Sequence, residues 1–336
     1  MQRLGIGFTG DLRTMEIARY ARLAEELEYE SFWIAEDYYL RDAVSILAFL
    51  SQATRKIKLG TGIISAYTRP PVVIAQTIAT LDEMSKGRAI LGIGTGVKPL
   101  IEKMGIQFQK PLSVMRESVS IIRRLMAGEQ VDHRGLRFSI HDIKLGVNPY
   151  TLGRLMPIRR YVPIYIGAIG PKMLQLAGEI GDGVLMTSGL SPKQIALSVQ
   201  NVKTGAAKSG RDSSKVDIAC YIPSCISYRG KIDSLATKAY LAHVLAHSSE
   251  RSLSLDGFDL RDVVSIRQAV DKGDSRMAAD LVTDEMLDIY TASGTAERIR
   301  ERIREYRSSG VTLPIICPTG SQIKRIIEIC TKLSAF

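Results

Sequence analysis

Glu36 and Asp37 close the short apolar run SFWIAED, Ser31 to Asp37, and are the paired carboxylates of the chain that fall at the end of a predicted strand. Two carboxyl groups there suit general acid–base catalysis or hydrogen bonding to a ligand ring. The alternative is an ion pair with the nearby Arg41. Strand alternation sets Trp33 and Ala35 on one side and Ile34 and Glu36 on the other, so Glu36 and Asp37 point opposite ways. Glu36 and Asp37 are both catalytic candidates, and the residues alone leave the acid–base and ion-pair readings open.

A second stretch, RAILGIGTGVKPL (Arg88 to Leu100), alternates Gly92, Gly94 and Gly96 along a buried strand. A strand that gives up every second side chain is matched by another backbone or by a flat ligand. A third, YIGAIGPKMLQLAG, ends a strand at Gly167, continues through Ala168, Ile169 and Gly170, and places Pro171 and Lys172 in a first helical turn. Glycines free that backbone to approach an anion, and the helix amides then make a phosphate site. The alternative is a tight strand-to-helix loop that needs glycine for its turn.

Other chemistries find little support. His133 and His141 fall in an interrupted region, and His243 and His247 share one helix face with no Glu following His243, so no zinc-hydrolase helix is formed and no metal is expected. No histidine sits at a strand end, which leaves a Ser-His-Asp triad without its base. Cys220, Cys225, Cys317 and Cys330 make no C-x-x-C pair and read as reduced thiols of a cytoplasmic protein. The start of the chain carries no long apolar segment, and the longest apolar runs are strand-sized, so no membrane association is expected.

The elements that must position these residues alternate almost throughout. Strands are predicted at Leu4–Gly10, Ser31–Asp37, Ile57–Ala66, Arg88–Gly96, Val162–Gly170, Asp182–Gly189, Val216–Ser227 and Val311–Gly320, with a helical stretch after each. Ile17, Ala21, Ala24 and Leu27 form one helical stripe, and Leu112, Met115, Val119, Ile122 and Leu125 another. Two insertions interrupt the rhythm, at about 129–161 after the fourth helix and about 229–293 after the seventh strand. Eight strand–helix units with near-continuous apolar strand cores argue for an α/β fold, a single (β/α)8 TIM barrel over residues 1–336. Two doubly wound sheets are the alternative, and no composition break near mid-chain favours them. Reactive groups in such barrels lie at the C-terminal strand ends. That adds Gly62, Ile63 and Ile64, then Thr95 beside Gly94 and Gly96, and Thr187 after the sixth strand, to the candidates.

The chain has 336 residues, with 45 Lys and Arg against 35 Asp and Glu and a formal charge of +10. A positive surface favours anionic partners. The basic residues are dispersed, and no nucleic-acid motif is present, so a small anionic molecule is expected rather than nucleic acid.

The motifs AEELEYESFWIAED, KIKLGTGIISAYTRPP, TIATLDEMSKGRAILGIGTG, KPLSVMRESVSIIRRLMAGEQV and VPIYIGAIGPKMLQLAGEIGDGVL, in that order, resemble the bacterial-luciferase-like superfamily. The nearest branch holds methylenetetrahydromethanopterin reductase and other enzymes of the deazaflavin coenzyme F420. The resemblance implies an oxidoreductase that moves a hydride between F420 and a small organic substrate, such as a pterin-bound one-carbon unit. It also admits an FMN-dependent monooxygenase or a non-catalytic F420 or flavin binder, and implies a homo-oligomer, dimer or tetramer. By resemblance, Gly62–Ile63 is a non-proline cis peptide that backs the coenzyme ring, the strand-four glycines leave space and amides beside it, and Gly167–Lys172 holds the coenzyme phosphate. A polyglutamylated, phosphorylated coenzyme suits the positive charge. Three positions depart from the pterin reductases: Gly7 replaces an acidic residue, Glu36-Asp37 replaces Asp-His, and Val97 replaces an aspartate. By resemblance the family's acidic position after the second strand falls on Glu36, which makes it the candidate general acid, with a pKa raised by partial burial, beside Asp37.

Overall fold

The computed structural model describes residues 3–148, 150, 155–228, 231–232 and 235–331. Its strands are β1 (Gly5–Phe8), β2 (Ser31–Ile34), β3 (Lys58–Thr61), β4 (Ile64–Ser65), β5 (Ala89–Gly94), β6 (Gln130–Arg134), β7 (Ser139–Lys144), β8 (Ile164–Gly167), β9 (Gly183–Met186), β10 (Asp217–Tyr228), β11 (Lys231–Ile232), β12 (Ala292–Gly294) and β13 (Leu313–Pro318). Parallel strands alternate with helices, which is the (β/α)8 class expected. Among the described residues, no helix is long and apolar enough to cross a membrane.

The chain divides into two compact units. The first comprises Phe8–Leu185 and Asn201–Asp217. In it β2, β3, β5, β8 and β9 run parallel in that order, with β4 also on β5. Trp33 stands opposite Gly60, Gly60 opposite Ile90, and Gly92 opposite Tyr165. Every residue of β2 and β5 is buried, as expected when both faces of a parallel sheet are covered. The single strand expected over Ile57–Ala66 is instead β3 and β4, parted at Gly62–Ile63, whose peptide is cis.

Local signals in the sequence set the helix ends. Pro71 begins the helix Pro71–Ser85, where a missing N–H costs nothing. Lys86 and Gly87 end it in left-handed backbone, φ 58° and 83°, with amides returning to Glu83 and Asp82. The helix Pro111–Met126 buries Met115, Val119, Ile122 and Leu125 as the periodicity predicts. Leu112 is only half-buried, as is Leu27 at the end of the first stripe. A short helix, Lys98–Lys103, was not foreseen.

The first insertion contains the antiparallel hairpin β6–β7. Its turn is held by Glu117, whose carboxylate accepts the amides of Leu136, Arg137 and Phe138 at 2.9, 3.1 and 3.0 Å. Residues 149 and 151–154 of that insertion lie outside the described residues.

The other unit comprises Met186–Gln200, the chain from Ile218 onward and the segment ahead of Phe8. Here β13 pairs in parallel with both β1 and β10. The second insertion folds into the helices Leu235–Ala246, Glu250–Leu255, Leu260–Asp271, Ser275–Asp280 and Asp284–Tyr290, packed around a core that includes Leu241, Leu245, Leu253, Ile266 and Leu287. It ends in β12, an unexpected strand parallel to β10. The last helix, Ile323–Cys330, was expected to run to Leu333, which lies outside the described residues.

Candidate active site

The alternating glycines of β5 have separate causes. A Cβ on Gly92 would stand 1.9 Å from the Thr61 carbonyl oxygen, and Thr61 Oγ1 closes the approach by donating to Gly92 O at 2.8 Å. A neighbouring backbone therefore answers the question at Gly92. At Gly94 and at Gly167 on β8 the answer is Ile63. A Cβ on Gly94 would meet Ile63 Cδ1 and Cγ1 at 3.0 Å, and one on Gly167 would meet Ile63 Cγ2 at 3.1 Å. The Ile63 side chain thus lies over two neighbouring glycines, and the space expected beside a ring at Gly94 is taken by protein. Gly96 is bound to its residue type twice over. Its φ is 74°, and a Cβ would meet the Tyr38 hydroxyl at 2.1 Å.

The loop that carries Ile63 is anchored from β2. Ser65 N donates to Glu36 Oε2 at 3.2 Å, and Ser65 Oγ donates to the Thr95 carbonyl at 3.1 Å. Ile64 pairs with Ile93 across β4 and β5. Arg69 Nη2 donates to Glu36 Oε1 at 2.8 Å and to Asp42 Oδ2 at 2.7 Å. Asp42 caps the helix Ala43–Ala53 through the Ser45 amide. The ion pair of Glu36 is thus with Arg69, not with Arg41, which donates instead to the carbonyls of Gly10 and Asp11. The Glu36 side chain is 12% exposed, and both its oxygens are engaged.

Asp37 lies apart from this network. Much of the residue is exposed, yet its carboxyl has enough protein around it to lose solvation, and Asp11 is near. Burial first and the Asp11 charge second raise its pKa above the ordinary 3.8. Burial likewise raises the Tyr38 phenol, which hydrogen-bonds Ser65 and lies near both Glu36 and Asp37. Sequence reasoning named neither Arg69 nor Tyr38 for a role, although Arg69 stood in the quoted motif YTRPP.

Gly167 closes β8, and Ala168 N bonds the Leu185 carbonyl at 3.3 Å. Gly170 caps the helix Pro171–Ile180 without any side-chain acceptor, and nothing stands within 4 Å of a Cβ placed on it. Ile169, Pro171 and Lys172 are exposed there. Open, uncapped helix amides fit an anion. Thr187 belongs to the other unit, where its carbonyl accepts from Cys220 Sγ at 3.8 Å.

Two departures gain physical content. A Cβ on Gly7 would lie 2.6 Å from Tyr221 Cε1, so the Tyr221 ring fills the space where a side chain at position 7 would stand. Val97, 55% exposed, is the N-cap of the helix Lys98–Lys103 and offers no proton. His243 and His247 lie with ring centroids 4.7 Å apart, tilted at 45°, on an exposed helix face, and among the described residues no cluster could hold a metal.

Residues 7–313 match the family described as luciferase-like monooxygenase, and the chain belongs to that family. It is 37% identical over 335 residues to the 5,10-methylenetetrahydromethanopterin reductase of Archaeoglobus fulgidus, covering 98% of each chain. It is 36% identical over 330 residues to the enzyme of the same name from Methanolobus tindarius, again over 98% of each. Among solved structures, the coenzyme F420-dependent tetrahydromethanopterin reductase of Methanopyrus kandleri superposes with a TM-score of 0.88 at 29% identity, covering 98% of this chain and 97% of that one.

Proposed function

We propose that this protein is a coenzyme F420-dependent oxidoreductase that transfers a hydride between the deazaflavin ring and a pterin-bound one-carbon unit. The observation that carries the reading is Ile63 lying over Gly94 and Gly167, a small apolar floor in the unit that also presents the open helix end at Gly170. The full-length likeness to methylenetetrahydromethanopterin reductases supports it.

The residues present fit the coenzyme. Ile63, with Gly62 and Ile64 beside it, would support the ring face; Gly94 lies beneath Ile63, and Thr95 and Gly96 would border the ring. Ala168, Ile169, Gly170, Pro171 and Lys172 would receive the phosphate at the helix N-terminus. The bound coenzyme supplies the hydride chemistry, and the protein supplies orientation and proton handling. Reducing a methylene that bridges two nitrogens takes a hydride at carbon and a proton at the nitrogen released. Asp37 is our candidate donor of that proton, because it lies beside Glu36 just past β2 and burial, then the Asp11 charge, raises its pKa. Glu36, committed to Arg69 and Ser65, fits that task less well.

Titration of the purified protein with F420 and with FMN tests the coenzyme. Saturable F420 binding with none for FMN is expected, and the reverse would move the protein to the flavin monooxygenases of its family.

A further inference from the structure

We infer that Glu36 is a positioning residue that, with Arg69, holds the floor beneath the coenzyme ring. The inference rests on the deazaflavin reading above and adds a residue role to it.

Glu36 sits beyond the end of β2, and its two oxygens are spent on different elements. Oε2 accepts the Ser65 amide at 3.2 Å, in the strand immediately after Ile63. Oε1 accepts Arg69 at 2.8 Å, just ahead of the helix Pro71–Ser85. The same guanidinium reaches Asp42 at 2.7 Å, the N-cap of the helix after β2. Four points of the chain therefore converge on one charge-assisted network, and such bonds are stronger and more directional than neutral ones.

What the network holds is Ile63. Ser65 is fixed on three sides, by its amide to Glu36, its hydroxyl to Thr95 O, and the Tyr67 amide donating to Ser65 Oγ at 3.1 Å. Two residues earlier, the Ile63 side chain lies over Gly94 and Gly167. Neither glycine has a side chain to locate Ile63 laterally. Its position is set by the loop ends, one of which is tied to Glu36. Releasing that tie lets the floor shift while the barrel core stays intact. This separates Glu36 from Asp37, whose side chain has no hydrogen bond to these elements among the described residues and which stays the proposed proton donor.

The test compares wild type, Glu36→Gln and Arg69→Met. Glu36→Gln keeps shape and loses charge, and Arg69→Met keeps the stem and loses the guanidinium. Each should raise the F420 dissociation constant roughly tenfold, the loss expected for one charge-assisted bond. The circular dichroism of the bound coenzyme's absorption band should change, and melting should be little altered. The double variant should be no weaker than the worse single one, because both act through one network. At saturating F420, the acid-dependent limb of turnover with methylenetetrahydromethanopterin should keep its position. Glu36→Gln that binds F420 as wild type does but loses turnover and that limb would make Glu36 the proton donor and overturn the inference. Ser65 amide hydrogen exchange gives a readout that needs no coenzyme. Faster exchange in both variants is expected, and unchanged exchange would overturn the clamp. Wild type that fails to bind F420 would refute the coenzyme reading and leave the exchange result to decide the clamp.

Discussion

Glu36 and Asp37 are adjacent in the chain, and their surroundings differ: Glu36 is held by Ser65 and Arg69, while Asp37 lies near Asp11. Strand alternation was legible in the sequence only as far as Ile34, where β2 ends, and Glu36 and Asp37 follow it in the loop. The partner of Glu36 was not legible, because Arg69 lies 33 residues away and only the fold brings it in. For Asp37, Asp37→Asn should lower turnover by roughly 10²–10⁴-fold while F420 affinity stays near that of wild type. Its folded pKa lies above the ordinary value, so what it contributes to stability is present in acid and lost as pH rises through the folded pKa. The Asn variant should therefore melt higher relative to wild type at pH 7 than at pH 3, and thermal unfolding at the two pH values checks the sign. Gly7 carries a second lesson. An acidic residue cannot be restored there alone, because Tyr221 fills the space. Gly7→Glu should destabilise by about 1–3 kcal/mol, the usual cost of overpacking, without added turnover. Equal stability in denaturant titration would show that the ring yields.

The elements were largely written in periodicity and punctuation. Pro71, Gly87 and Pro111 marked helix ends because proline and glycine act locally. The break between β3 and β4 left no such mark, since Gly62–Ile63 continues an apolar run; only the family resemblance pointed to it. The clamp of the hairpin β6–β7 on Glu117 was invisible in the sequence, being a contact between distant elements. Burial would raise the Glu117 pKa, and the amides of Phe138, Arg137 and Leu136 together with His133 outweigh it and hold it below 4.5. Its stabilisation is therefore present above that value and lost as pH falls through the folded pKa. Glu117→Gln should cost about 1–3 kcal/mol at neutral pH, read from denaturant unfolding, and the gap should close in acid. The loop after β8 makes a sharper division than its sequence allowed. Gly167 packs on Ile63, whereas Gly170 opens the helix end. Gly167→Val should weaken F420 and a phosphate-free ring analogue alike, and Lys172→Glu only F420. Titrations showing the opposite pattern would shift the phosphate to Gly167.

At the scale of the whole chain, eight strand–helix units and the motif order were enough to predict the barrel and its family. The match of family model and relatives across nearly the full length bears this out. Substrate was less legible, because the family resemblance alone implied acidic residues at the positions of Gly7 and Val97, and neither residue here can carry a proton. Gly7 and Val97 offer no acid, so an account built on the family pattern would leave the reaction without one. Asp37 is the acid proposed for that role. The positive charge favours an anionic coenzyme but cannot choose among them. The most direct test mixes the protein anaerobically with reduced F420 and 5,10-methylenetetrahydromethanopterin and follows coenzyme oxidation together with the methyl product. The account predicts stoichiometric oxidation of the coenzyme with one methyl group formed per hydride, abolished without the pterin. Tight F420 binding with no oxidation by the methylene pterin would contradict it.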